Sequence, residues 1–514
     1  MHNRRLVFIF ILFVSACNAL TAPTATPVPT PTQTLTATAT ITPSATASAT
    51  ATPTHTMTPT ATLSPTITPT PTRTLTPSIT PQATVGFIFD HWELLDLPDA
   101  IRDGIDSPLI AFINRNDIET IANIATAQPA TNIATLYFAS PIDRASRFPI
   151  LELDDSTGSQ VYISPTGNAI AYFTAGETEA GTGLYILDVE VGVSGRILPV
   201  TSLIQRGIFS KPVWSPDGAQ LVLALATGYD IDLFVFQRDG SGWQNLTDHG
   251  AFDIWPSWSP DGRFIAFVSD RAQCQSWIPG EPNACDLTED TVPRGGHVYV
   301  LETATGIVRQ IADQWVTEPP HWVNVRQVAF AVGDQDDLLN PERTLWITDV
   351  FSGQVEQVRL KDAPNPIINL SEAWAPDGNH VLFQNAAESN EIVLMRVDGT
   401  LQASTDTITF PRFGMSADWS PNGERIAIGG AGGECPYGII MIDNALGFVA
   451  RGNPPPSMCD PVFSPNGAFV AFTGINPRVD GRVDIYTANF NGFGAVNLTV
   501  DLQGQIQLLG WVEG

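Results

Sequence analysis

Pro256-Ser257-Trp258-Ser259-Pro260-Asp261-Gly262, followed two residues later by Phe264-Ile265-Ala266-Phe267-Val268-Ser269, is the stretch from which the fold is read. Ser-Pro-Asp-Gly is a tight-turn signal. Pro presets φ at the second position, Asp bonds back to the backbone, and Gly accepts a positive φ. The turn joins a strand ending in Trp to a strand apolar at nearly every position. A strand of that kind is buried on both faces, which requires a neighbour on each side. The phrase returns at Pro212-Val213-Trp214-Ser215-Pro216-Asp217-Gly218, Trp374-Ala375-Pro376-Asp377-Gly378, Trp419-Ser420-Pro421-Asn422-Gly423 and Phe463-Ser464-Pro465-Asn466-Gly467. A looser copy stands at Tyr162-Ile163-Ser164-Pro165-Thr166-Gly167, and a degraded one at His321-Trp322, where Val323-Asn324-Val325-Arg326 replaces the turn. Intervals of about 44 to about 64 residues are the scale of propeller blades.

Third strands follow, as in Leu233-Phe234-Val235-Phe236, Val298-Tyr299-Val300-Leu301-Glu302 and Ile485-Tyr486, and fourth strands at Asn245-Leu246-Thr247 and Asn497-Leu498-Thr499. The fold class predicted is therefore all-β: a β-propeller of four-stranded antiparallel blades, with each Trp packed between blades. Leu508-Leu509-Gly510-Trp511-Val512 reads as a lone first strand. Pro108 to Ile113 and Thr135 to Ala139 read as second and third strands without a first. Joining the two ends in one blade removes both free edges and gives eight blades, with seven as the alternative. The segment Val85 to Ile105 has no assigned place. The aspartates Asp217, Asp261 and Asp377 are read as turn residues rather than ligands or catalysts.

The stretch from Trp258 to Arg271 resembles the repeat of the TolB-type, WD40-like (PD40) β-propeller family, and the resemblance extends over roughly residues 161 to 514. The same repeat builds the N-terminal propellers of prolyl-oligopeptidase-type peptidases. Those enzymes carry in addition an α/β-hydrolase domain with a Gly-x-Ser-x-Gly elbow. The nearest match here, Gly414-Met415-Ser416-Ala417-Asp418, lacks the last Gly and runs into a blade strand. The resemblance thus implies a binding scaffold rather than an enzyme.

Ahead of the repeats lie an address and a tether. Arg4 and Arg5 precede the apolar run Leu6 to Val14, too short to span a bilayer, and Val14-Ser15-Ala16-Cys17 resembles the lipobox of bacterial lipoproteins. Residues 1–16 are accordingly read as a lipoprotein signal peptide and Cys17 as the lipidation site. Residues 17–84 are read as a disordered Thr/Pro-rich linker that offers no apolar periodicity, and 85–514 as the propeller. At about 3.1 Å per residue such a stalk reaches on the order of 200 Å. The location implied is extracytoplasmic and membrane-anchored, at the cell surface or in the periplasm.

The remaining four cysteines, Cys274, Cys285, Cys435 and Cys459, suit disulfides in an exported chain. Cys274 and Cys285 fall in one loop. Cys435 and Cys459 fall in two loop types that emerge on the same propeller face.

With 53 acidic against 25 basic residues and a net charge of −28, the chain repels phosphate backbones, which argues against a nucleic-acid partner. No metal or cofactor motif stands out. His249, His297, His321 and His380 lack metal spacing, and Asp334-Gln335-Asp336-Asp337 lacks the glycine and terminal glutamate of a calcium loop. Loops before first strands and after second strands gather at one mouth of the channel. Function in such scaffolds lives on loops. Tyr229, Asp230, Phe252, Asp253, Trp255, Arg271, Trp277, Arg412 and Phe413 are the candidate contact residues there. The partner expected is a protein or peptide, with a glycan as the second reading and a channel-sited lyase or hydrolase as the third.

Overall fold

A computed structural model of the chain describes residues 89–512, apart from 103–106, 117–132, 155–159, 175–180, 200–209, 289–290, 334–343, 360, 362–367, 386–390, 408–413, 432–434, 437, 452–455 and 477–480. Cys17, the linker, Asp334 to Asp337, Arg412 and Phe413 lie outside the described residues.

The quoted stretch forms two antiparallel strands, Asp253–Trp258 and Phe264–Ser269, with Trp258 opposite Ile265 and Ser257 opposite Ala266. His297–Glu302 and Val308–Gln310 complete the unit in chain order. Among the described residues the strands group into eight such four-stranded antiparallel units. One of them is composite: Gln505–Val512 pairs with Leu109–Asn116, which continues into Ile133–Ala139 and Arg147–Asp154. Among the described residues the last strand therefore completes the sheet of Leu109–Asn116. The unplaced N-terminal segment contributes Asp90–Leu94, a fifth strand on the outer edge of the unit that runs from Val161 to Pro199. Arg196, almost wholly buried, holds it through two bonds to Asp90, at 2.9 Å from Nε and 3.0 Å from Nη2.

The second strands are the interior. Ile110-Ala111-Phe112, Ile265-Ala266-Phe267, Val328-Ala329-Phe330, Val381-Leu382-Phe383 and Val470-Ala471-Phe472 repeat one pattern, and every one of these side chains is buried. Each phenylalanine contributes roughly 1.5–3 kcal/mol by leaving water.

The tryptophans join one unit to the next by a repeated bond. The indole N–H of Trp258 donates to the carbonyl of Val213 at 3.2 Å, and that of Trp322 to Ser257 at 2.9 Å. Trp214 reaches Tyr162 at 2.9 Å, Trp419 reaches Ala373 at 3.0 Å, and Trp511 reaches Val462 at 2.9 Å. In each case the acceptor immediately precedes the equivalent position of the previous unit. Trp374 is the exception: its Nε1 is buried with no hydrogen-bond partner.

In the turns, serine does more than the sequence suggests. Ser259 Oγ donates to Asp261 Oδ1 at 2.7 Å and accepts the amide of Phe264 at 3.0 Å. Ser215, Ser420 and Ser464 make the same pair of bonds. The φ of +69° at Gly262 is why that place is glycine. The degraded unit keeps its hairpin by another route: Asn324 Oδ1 accepts the amides of Arg326 and Gln327 at 2.9 and 3.1 Å.

Both disulfides form, Cys274–Cys285 with Cα atoms 5.9 Å apart and Cys435–Cys459 at 4.9 Å. Beside the second, Gly430 pairs in parallel with Cys459, which fuses two neighbouring units into one eight-stranded sheet.

Candidate functional site

At the end of the strands opposite the Ser-Pro-Asp-Gly turns, the unit containing Asp253 meets the one before it, and most of the candidate residues converge there. Asp253 opens its first strand opposite Ser269, which ends the second. The next two residues, Asp270 and Arg271, turn back over this pair. Arg271 Nη2 donates to Asp253 Oδ2 at 2.6 Å and its Nε donates to Ser269 Oγ at 3.0 Å. Its guanidinium lies over the rings of Tyr299 and Phe267, at 5.1 and 5.5 Å. Asp253 is fully buried, so burial pushes its carboxyl upward and Arg271 opposes that shift.

Asp270 organises the loop. It accepts the Phe252 amide at 2.8 Å and the Trp277 indole N–H at 2.9 Å, and the two aromatic rings stack with centroids 5.1 Å apart. The Trp277 amide donates to the carbonyl of Gly250, and the Cys274–Cys285 bond closes the loop around it. From the preceding unit comes Asp232, which accepts Asn245 Nδ2 at 2.8 Å, Thr247 Oγ1 at 3.1 Å and the His249 amide at 3.0 Å. Burial raises Asp232 to about 6 and also raises Asp230 and Asp270. The same burial, reinforced by Arg271, lowers His249.

Tyr229 stands out of this cluster, 42% exposed. Trp255, Arg271 and Trp277 are half-buried, while Asp230, Phe252 and Asp253 are buried and hold the seam between the units. Trp255 sits in a bulge, where the register shifts between Ile254 and Ser257, with φ of +55° directly before Pro256. Asp460 repeats that conformation, φ +47°, before Pro461. Strained backbone of this kind costs on the order of 1–3 kcal/mol and is characteristic of sites.

The sequence reading missed Asp232 and Asp270. A signal for Asp232 was present: Asp484 is clamped by Asn497 and Thr499, at the same spacings of 13 and 15 residues that separate Asp232 from Asn245 and Thr247. Elsewhere, His297 faces the carbonyl of Gln314 and packs edge-on against Trp315, and His380 pairs with Asp377. Met415–Trp419 is an ordinary first strand with Met415 fully buried. Among the described residues no three of His, Cys, Asp or Glu converge in a metal-holding group.

Four-stranded antiparallel units locked by inter-unit indoles, with the chain's last strand closing its first sheet, define a β-propeller. Residues 156–278 match the family described as the TolB beta propeller domain (PD40), so the repeat in that stretch is similar to the TolB type. The TolB homolog of Chlorobium chlorochromatii (strain CaD3) is 25% identical over 169 residues, 33% of this chain and 32% of that protein. The one from Chlorobium luteolum (strain DSM 273 / BCRC 81028 / 2530) is 32% identical over 111 residues, 21% of this chain and 23% of its own length. The matched region thus spans a third or less of these relatives. The crystal structure of TolB from Acinetobacter baumannii aligns over 76% of this chain and 81% of its own, at 13% identity and a TM-score of 0.33.

Proposed function

We propose that this chain is a lipid-anchored, extracytoplasmic propeller that binds a protein or peptide partner on the loop face around Arg271 and performs no catalysis there. The observation that carries the reading is the arrangement of four buried carboxyls, Asp230, Asp232, Asp253 and Asp270, beneath a rim of Tyr229, Trp255, Trp277 and Arg271. Asp232, Asp253 and Asp270 are each already engaged by a neighbouring donor, which leaves them poor general acids or bases. Arg271 is already paired with Asp253, and the chain's net charge of −28 favours a segment presenting a lysine or arginine beside an apolar residue. The export-type start and Cys17 support display outside the cytoplasm, and the relatives' name supports an envelope role.

Two measurements test this. Labelling with a radioactive fatty acid should mark the full chain and be lost in Cys17→Ala. A photo-crosslinking amino acid at position 229 should capture a discrete protein adduct in envelope preparations, whereas the same group at position 351, exposed on the opposite face, should not. Adducts equally abundant from both positions, or none from 229, would dismiss the loop face as the binding surface.

A further inference from the structure

On the opposite face the Ser-Pro-Asp-Gly turns of neighbouring units nest. A Cβ at Gly262 would lie 3.8 Å from the ring of Pro216, and one at Gly467 would lie 3.4 Å from Pro421. Gly423, at the equivalent place, has nothing within 4 Å. The turns at Trp374–Gly378 and Trp419–Gly423 have parted, and a cavity of about 440 Å³ opens between them. Its floor is apolar, made by the buried Trp419 and Leu394. Its rim is polar: Asp377, His380, Gln402, Asn422 and Asn444.

The chemistry of that rim is specific. Asp377 Oδ2 holds His380 Nδ1 at 2.7 Å, which fixes the imidazole against the cavity wall. Asn422 Oδ1 is already taken by Ser420 Oγ and the Glu424 amide, at 2.7 and 3.1 Å, so its Nδ2 is the part left to donate. Three carboxamides around one cavity offer donors and acceptors side by side, the pattern that vicinal hydroxyl groups satisfy. Among the described residues neither Lys nor Arg lines the space and a carboxylate does, so an anionic ligand is disfavoured. A purely apolar ligand would strand the rim. The volume lies within the roughly 300–1,000 Å³ of small-molecule sites.

We infer that this seam is a binding site for a neutral saccharide, with its apolar ring faces against Pro376, Pro421 and the exposed edge of Trp419 and its hydroxyls bonded by Gln402, Asn422, Asn444 and the Asp377–His380 pair. The site is independent of the loop-face reading: it lies at the opposite ends of the strands and between different units.

The test is to titrate the full chain with galactose, mannose, N-acetylglucosamine, maltose and xylobiose, with galacturonate as the anionic control. Saturation-transfer NMR and intrinsic fluorescence report binding. At least one neutral sugar should bind in the micromolar to millimolar range. Gln402→Ala and Asn444→Ala, both at exposed positions, should each weaken it by about fivefold or more. Asn444→Trp, which fills the cavity, should abolish it, and Tyr229→Ala should leave it unchanged. An unaltered thermal midpoint in the variants shows that they fold. The inference fails if no neutral sugar binds below about 10 mM, if galacturonate binds as well as any of them, or if Asn444→Trp binds normally.

Discussion

A single hydrogen bond, repeated, is what each tryptophan adds beyond its buried surface. Trp258 Nε1 reaches the carbonyl of Val213, whereas Trp374 Nε1 is buried and reaches nothing. Trp258→Phe should therefore lower stability by about 1 kcal/mol more than Trp374→Phe does. Removing an unsatisfied donor at 374 should be neutral or slightly stabilising. Urea denaturation of the two variants decides it, and equal losses would mean that the indole bonds contribute nothing. Asp418 offers a second contrast. It is half-buried, accepts the Phe463 amide across a seam at 2.7 Å, and is pushed up to about 6 by desolvation. A carboxyl raised in the folded state favours the neutral form. Its contribution is complete below about pH 4 and is lost as pH rises through 6, by roughly 2–3 kcal/mol. The urea midpoint should fall between pH 5 and pH 7.5. Asp418→Asn, which keeps the acceptor, should fall less and be the more stable protein at pH 7.5. An Asn variant with an unchanged pH slope would show that Asp418 titrates normally.

Two elements hold outlying chain to the sheets by different means, and each can be cut. The strand Asp90–Leu94 rests on the bidentate Asp90–Arg196 pair, with Arg196 buried. Arg196→Ala should release the strand and speed proteolysis at the N-terminal side of residue 95 while the rest of the propeller stays folded. Uniform protection before and after the substitution would show that the pair is dispensable. The Cys435–Cys459 bond closes a segment of 24 residues, for which about 3 kcal/mol is expected. Cys435→Ser with Cys459→Ser should lower the urea midpoint accordingly, and a loss no larger than in the reduced native chain would confirm the bond as the cause.

At this scale the sequence was legible wherever period and turn chemistry spoke together. The hairpin Pro256 to Ser269 needed no structure, because an apolar run next to Ser-Pro-Asp-Gly has few alternatives. The outer strand at Asp90 was not legible, since it has neither alternation nor a turn; Arg196, far away in sequence, specifies it. The candidate site was half-visible. Its aromatics and Arg271 were found by position in the loops. Asp232 and Asp270 were missed because burial and bonding, not spacing alone, give them their roles. The bulge that sets Trp255 at a positive φ directly before proline ran against the usual preference of that position for extended backbone.

For the whole molecule the decisive contact is the pairing of Gln505–Val512 with Leu109–Asn116, which brings segments widely separated in the chain into one sheet. Removing residues 505–514 would expose the edge of Leu109–Asn116 and uncover Ile110 and Phe112, both fully buried. The truncated protein should lose its single cooperative transition and associate at concentrations where the full chain is monomeric; calorimetry with light scattering measures both. A truncated protein that melts sharply and stays monomeric would show that the composite sheet is only decoration.

That pairing also imposes an order of events on biosynthesis. Synthesis from the N-terminus makes Leu109 to Asp154 long before Gln505 to Val512, so this sheet stays a strand short until that partner emerges. Until that partner is made, Leu109–Asn116 presents an unpaired edge to other chains. A nascent chain interrupted before Gln505 would keep that edge open.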